Sequence, residues 1–124
     1  MTCNNIYNAA LALIGEAEDT DATVDYAMRS VHLLKVIFSR FARLSEELSG
    51  TEAAYETLNI ASLDEHFPLD ERLASLISEV LASMLIIDEL PEISKMLAER
   101  AEFDRKQLCA EATGVTSTRE VYGL

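Results

Sequence analysis

The chain has 124 residues, of which 49% are hydrophobic but only 6% aromatic, and its 22 acidic against 10 basic residues give a net charge of −12. A chain of this length forms one domain, here with an aliphatic core. The acidic excess argues against a nucleic-acid binder and against docking on an anionic membrane, since both need cationic side chains.

The first predicted helix covers about residues 3–14. Its apolar face consists of Ile6, Ala10, Leu13 and Ile14. Thr2 fits the N-cap position, because a side-chain oxygen there can accept a hydrogen bond from a free N–H group of the first turn. Gly15 predicts the end of the helix, since glycine readily takes the left-handed conformation found at helix C-termini. An acidic, polar linker, 16–23, follows.

The second predicted helix is long, from about Ala22 to Leu48, and carries two apolar seams. The main seam consists of Val24, Ala27, Met28, Val31, Leu34, Phe38, Phe41 and Leu48. The other seam consists of Tyr26, Leu33, Ile37 and Leu44. Two seams require two neighbours, and one of these is the third helix. Either the other neighbour is a further helix, so that both seams are buried inside one monomer, or it is another subunit.

Four cations and no acid lie between residues 29 and 43 of this helix. They are Arg29, Lys35, Arg40 and Arg43. The three arginines share one face. Either they pair within the helix, where Asp25 and Glu47 stand one turn away, or they form a basic face that meets the acidic side of a neighbouring subunit in a ring.

Residues 51–67 show no clean helical stripe and predict an extended arm with one short strand. The third helix is predicted to open at Pro68, since a proline in the first turn loses no helical hydrogen bond. Its broad apolar face consists of Leu69, Leu73, Leu76, Ile77, Val80, Leu81, Met84 and Ile87. Leu85 and Ile86 spread apolar surface round the sides, which predicts a buried central helix.

The fourth predicted helix, from about Pro91 to Ala112, has an interrupted stripe and is expected to lie outside the bundle. The stripe consists of Ile93, Met96, Leu97, Ala101, Phe103 and Leu108. Three pairs are spaced for ion pairs one turn apart, namely Lys95/Glu99, Arg100/Asp104 and Glu102/Lys106.

The whole pattern predicts an all-α fold of about four helices over residues 1–112, with an extended arm before the third helix. The segment 113–124 shows no stripe, and we expect an extended tail that meets a partner. Its candidate contact residues are Val115, Arg119, Val121, Tyr122 and Leu124.

Patterns for catalysis, metal binding or cofactor binding are missing from the sequence. His32 and His66 lie far apart, and neither has a second ligand at a metal-site spacing. Cys3 and Cys109 predict two reduced thiols. Asp70 and its acidic neighbour fit a first helical turn, where they complement the helix dipole. We expect that the chain is not an enzyme and binds no cofactor, and that it has neither a membrane span nor a signal peptide.

Two stretches resemble the head–tail connector proteins of tailed bacteriophages and prophages. The first, 62–74, leads through an acidic turn with a proline, and the second, 78–89, is an apolar helix that ends in an acidic break. The matching segments are Leu63–Glu65, Phe67–Leu69, Leu81–Ala82, Asp88–Glu89 and Ile93–Leu108. The opening helix, 5–15, is similar to the short Ala/Leu helix of many connectors.

The resemblance implies a structural role in the neck of the virion, for a protein made in the cytoplasm of the bacterial host. Connector (adaptor) proteins form a ring, commonly a dodecamer, under the portal protein. They extend the channel through which packaged DNA passes and provide the platform for a tail or stopper protein. An alternative from another class is a small acidic helical module that sequesters a basic protein, and a small enzyme is the least favoured.

Overall fold

The computed structural model describes residues 1–15, 21–52 and 55–113, with residues 21–24 described by their backbone alone. Over these residues the chain forms four α-helices and no strand. The helices are α1 (Cys3–Ile14), α2 (Asp21–Ser49), α3 (Ala74–Leu85) and α4 (Pro91–Thr113). Two short 3₁₀ helices, Tyr55–Leu58 and Glu71–Leu73, lie between α2 and α3. The predicted all-α bundle with a long second helix is confirmed.

Both ends of α1 form where the sequence placed them. The Thr2 N–H group donates a hydrogen bond of 2.7 Å to Asn5 Oδ1 in the first turn. Gly15 ends the helix in the left-handed conformation, with φ of 75°. The free N–H groups of the first turn are used as well, because the Cys3 N–H donates to the carbonyl of Glu65 at 2.9 Å.

Helix α3 is the centre of the bundle, because it contacts α1, α2 and α4. The side chains of Leu76, Ile77 and Leu81 are fully buried. Ser78 and Glu79 are buried too, so the middle turns of α3 expose almost no side-chain surface to solvent. The prediction of a buried central helix is confirmed.

The predicted ends of the third helix were wrong. Pro68 does not open it, because Asp70 is extended and its side chain accepts a hydrogen bond from the Arg72 N–H, which starts a 3₁₀ helix instead. At the other end α3 stops at Leu85, so the residues that follow it no longer continue the face of the helix. Ile86 is therefore buried, and Ile87, which was assigned to the buried face, is exposed.

Both seams of α2 are buried inside one monomer, which decides between the two alternatives. Tyr26, Ile37 and Leu44 of the second seam are as fully covered as Leu34 and Phe38 of the main seam. Val31 and Leu33 of the two seams are only partly buried. Met28 was wrongly assigned to the main seam, since 69% of its surface is exposed. The side chain of Val24 lies outside the described residues.

The arm between α2 and α3 packs into the core. It contains no strand in its described part, contrary to the prediction, and only one isolated antiparallel bridge joins Thr2 to His66. Phe67 is buried and packs edge-to-face on Phe38, with ring centroids 5.6 Å apart. The Arg72 guanidinium donates to the carbonyl of Leu48 and so ties the end of the arm to the last turn of α2.

Helix α4 lies on the outside of the bundle, as predicted, and Leu97 and Ala101 of its predicted stripe face the core. Its buried residues are Ser94, Leu97 and Ala101. Ile93, Met96 and Phe103, which the sequence placed on the inner stripe, are exposed instead. The reason is close packing on α3, where the Ser94 hydroxyl donates to the carbonyl of Ser83 at 2.7 Å and the Ser83 hydroxyl donates to the carbonyl of Ser94 at 2.9 Å. Small side chains permit this approach.

Candidate functional site

Metal-ligating side chains do not converge in residues 1–15, 21–52 and 55–113, where no three His, Cys, Asp or Glu side chains could hold a metal ion. His32 and His66 are both exposed. Burial, and after it the charge of Glu65, raises the pKa of the Cys3 thiol to about 11, so this thiol stays protonated and inert. No described helix is both long and apolar enough to cross a membrane.

The outer side of α2 is a basic face that carries the predicted cations. It consists of Met28, Arg29, His32, Lys35, Val36, Arg40 and Arg43, which span less than half of the helix circumference. Met28 and Val36 are exposed among these cations, at 69% and 55%. The basic face is therefore a cationic surface with two exposed apolar side chains. It contrasts with the chain as a whole, whose net charge is −12.

The two ion pairs proposed within α2 both form. Arg29 lies 3.6 Å from Asp25, and Arg43 lies 3.4 Å from Glu47. All four side chains are substantially exposed, so each pair is worth only tenths of a kcal/mol. Among the described residues Arg40 has no ion-pair partner.

A groove borders the basic face at Arg40. It has a volume of 340 Å³ and lies between α2, α3 and α4. Its apolar lining includes Phe41, Leu76, Val80 and Met84. Arg105 on its far wall is held by the Glu102 carboxylate and is therefore neutralised. The groove thus combines an apolar floor with one uncompensated cation at its edge.

The turn before α4 and the outer side of α4 form an acidic face. Its exposed apolar residues are Ile87, Leu90, Ile93, Met96 and Phe103. Between residues 87 and 99 four carboxylates stand against one lysine, so this stretch carries a net charge of −3. The Glu89 carboxylate accepts a hydrogen bond of 2.9 Å from the Tyr26 hydroxyl and so fixes the turn to α2.

One buried carboxylate lies between α3 and α4. Glu79 Oε2 is 3.2 Å from Arg100 Nε, and only 5% of the Glu79 side chain is exposed. Its other oxygen, Oε1, has no hydrogen-bond partner among the described residues. Burial, and after it the neighbouring carboxyl of Asp104, raises the pKa of Glu79 to about 7, although Arg100 acts in the opposite direction.

The predicted ion pairs of α4 were replaced by others. Arg100 reaches across to Glu79 rather than along its own helix to Asp104. Glu102 pairs with Arg105 and not with Lys106. The sequence held a signal for the first of these, because Glu79 directly precedes the uncharged run 80–87. An acid at that point of a buried helix needs a partner from a neighbouring helix.

The predicted interface residues fall into two groups. Arg29, Arg40 and Arg43 lie together on the basic face, and Lys35 lies at one edge of it, beside Tyr55 in a small hollow. The candidate residues of the tail lie outside the described residues. They are Val115, Arg119, Val121, Tyr122 and Leu124. Sequence reasoning missed the acidic face as a surface, because its apolar residues had been assigned to the core.

Comparison with protein-family models, with curated proteins and with solved structures gives no match for this chain. Its function therefore has to be argued from its own surfaces.

Proposed function

We propose that this chain is a structural subunit of a multi-copy ring, of the head–tail connector (adaptor) type found in the neck of tailed phages and prophages. The supporting observation is that one monomer exposes both a basic face with a groove and an acidic face with large apolar side chains. Surfaces of opposite charge on one small domain suit repeated association of identical copies.

Two further features support this role. The stretches 62–74 and 78–89 resemble connectors in their acidic turn and apolar helix. A net charge of −12 would disfavour binding of the packaged DNA that passes, because the chain as a whole repels phosphates. The ring would sit under the portal protein and provide the platform for a tail or stopper protein.

The experiment is negative-stain electron microscopy of the purified chain with portal protein. We expect an additional ring of density stacked on one end of the portal, with the portal's rotational symmetry, commonly twelvefold. Portal particles that keep their original length at saturating concentrations of the chain would contradict the proposal. Bovine serum albumin, which is acidic as well, serves as the control for non-specific adhesion to the portal.

A second function is favoured by the acidic stretch 87–99, which could bind a basic protein as a monomeric, sequestering module. Calorimetric titration with poly-lysine separates the two functions. A monomer that binds poly-lysine and leaves portal particles unchanged would favour the module.

A further inference from the structure

Phe103 and Met96 are the largest exposed apolar side chains of the acidic face, at 61% and 59%. They stand seven residues apart, which is two turns or about 10 Å along α4. Glu99 lies between them on the same exposed side. An exposed aromatic residue beside a carboxylate has the composition of an interface anchor, because aromatic residues dominate binding energy where they enter a pocket.

The groove beside α2 has the complementary properties. Its 340 Å³ falls within the roughly 300–1,000 Å³ of pockets that take small ligands, so it has room for an aromatic ring and a thioether. Its floor is apolar, and Arg40 at its edge is exposed without an ion-pair partner among the described residues. The apolar floor and the one unpaired cation therefore complement the apolar side chains and the carboxylates of the acidic face.

From this complementarity we infer that the acidic face of one copy docks in the groove of a second copy. Phe103 and Met96 enter the groove, and Glu99 faces Arg40 at its edge. The inference rests on the proposed ring and names the contact that builds it. Because the two surfaces differ, the contact is head-to-tail, and each copy keeps one free face and one free groove until a ring closes.

Two variants separate the two sides of this contact. Phe103→Asp removes the anchor, and Ala98→Trp fills the groove from its exposed wall. We expect each variant alone to associate about 30-fold more weakly than the wild-type chain, the loss typical of a removed anchor. Mixed in equal amounts, they should form a dimer and nothing larger, because one intact face meets one intact groove. Native mass spectrometry reads out both results.

The charge contact is tested by exchange. Arg40→Glu and Glu99→Arg should each weaken association, and the double variant should recover most of it. Tyr55→Asp is the control for Phe103→Asp, because Tyr55 is an exposed aromatic residue on the arm that does not line the groove. Circular dichroism melting curves establish that each variant is folded.

The outcomes distinguish the contact from the ring. If the wild-type chain assembles and both Phe103→Asp and Ala98→Trp assemble equally well, the inferred contact is wrong and the ring stands. If the folded variants assemble less well but their mixture gives no dimer, the head-to-tail arrangement is wrong. If the wild-type chain stays monomeric alone and with portal protein, or only binds poly-lysine, both proposals fail.

Discussion

Helices α3 and α4 use the same kind of aliphatic residues for different purposes. In α3 nearly every side chain of the middle turns is buried, even Ser78 and Glu79. In α4 only Ser94, Leu97 and Ala101 are buried, whereas Ile93, Met96 and Phe103 are exposed. An apolar stripe in this chain can therefore either pack into the core or stay on a surface that other molecules can cover.

The largest expected effect contrasts an inner with an outer position. Leu76→Asp places an unpaired charge in the centre of the bundle, which costs several kcal/mol and should unfold a domain whose total stability is about 5–15 kcal/mol. Met96→Asp puts the same charge on the exposed side of α4 and should change the free energy of unfolding by less than about 0.5 kcal/mol. Urea denaturation followed by circular dichroism measures both. A folded Leu76→Asp variant with the wild-type melting temperature would refute the central position of α3.

The same contrast exists within the arm. Phe67→Ala removes a buried ring that packs on Phe38, and we expect a loss of about 3–4 kcal/mol. Tyr55→Ala, at an exposed ring of the same segment, should cost less than about 0.5 kcal/mol. If the two variants lose equal stability in urea, the arm does not belong to the core.

The pH dependence of stability contrasts two carboxylates. The pKa of Glu79 is about 7 in the folded chain against an ordinary value of 4.5, so the folded state binds the extra proton between these values. This contribution to stability is complete below pH 4.5 and is lost as pH rises to about 7, at a cost of about 3 kcal/mol. Glu79→Gln removes the loss, and its advantage over the wild-type chain should grow through this window and then level off.

Glu102 provides the control with the opposite sign. Its hydrogen bond with Arg105 lowers the pKa of this exposed carboxyl, so its contribution is present at neutral pH and is lost as pH falls. The advantage of the wild-type chain over Glu102→Gln should therefore shrink on acidification. Urea titrations at a series of pH values measure both differences. A pH-independent difference between Glu79→Gln and the wild-type chain would contradict the buried-acid assignment.

The smallest effect concerns the close approach of α4 to α3. Ser94→Ala removes the hydroxyl that donates to the carbonyl of Ser83, and we expect a loss of about 1 kcal/mol. Ser75→Ala, at an exposed position of α3, is the matched control and should be close to neutral. Equal unfolding free energies for the two variants would show that the serine exchange does not hold α4 in place.

Much of the fold could be predicted from the sequence because local rules governed it. Thr2 and Gly15 mark the ends of α1, and the broad apolar face between Leu69 and Ile87 identified the buried helix. The inward face of α4 was predicted only in part, because Leu97 and Ala101 lay on the predicted stripe but Ile93, Met96 and Phe103 were wrongly added to it. Ser94 was missed because it faces inward through hydrogen bonds with Ser83 of α3, a property of the pair of helices.

Only one part of the candidate site could be predicted from the sequence. The cations of α2 were found because they form a run without acids, and that signal is local. The groove and the acidic face were missed because they depend on which side chains remain uncovered after packing. Arg40 shows the difference, since its charge is visible in the sequence but its place at the edge of a groove is not.

The most direct test of the account is the molar mass of the chain in solution, measured by light scattering over a range of concentrations, for the wild-type chain and for Met96→Asp. The account predicts that the wild-type mass rises above the 13.7 kDa of one chain while the folded variant stays at that mass. Superimposable mass curves for the two proteins would contradict the claim that the exposed side of α4 joins copies of this chain.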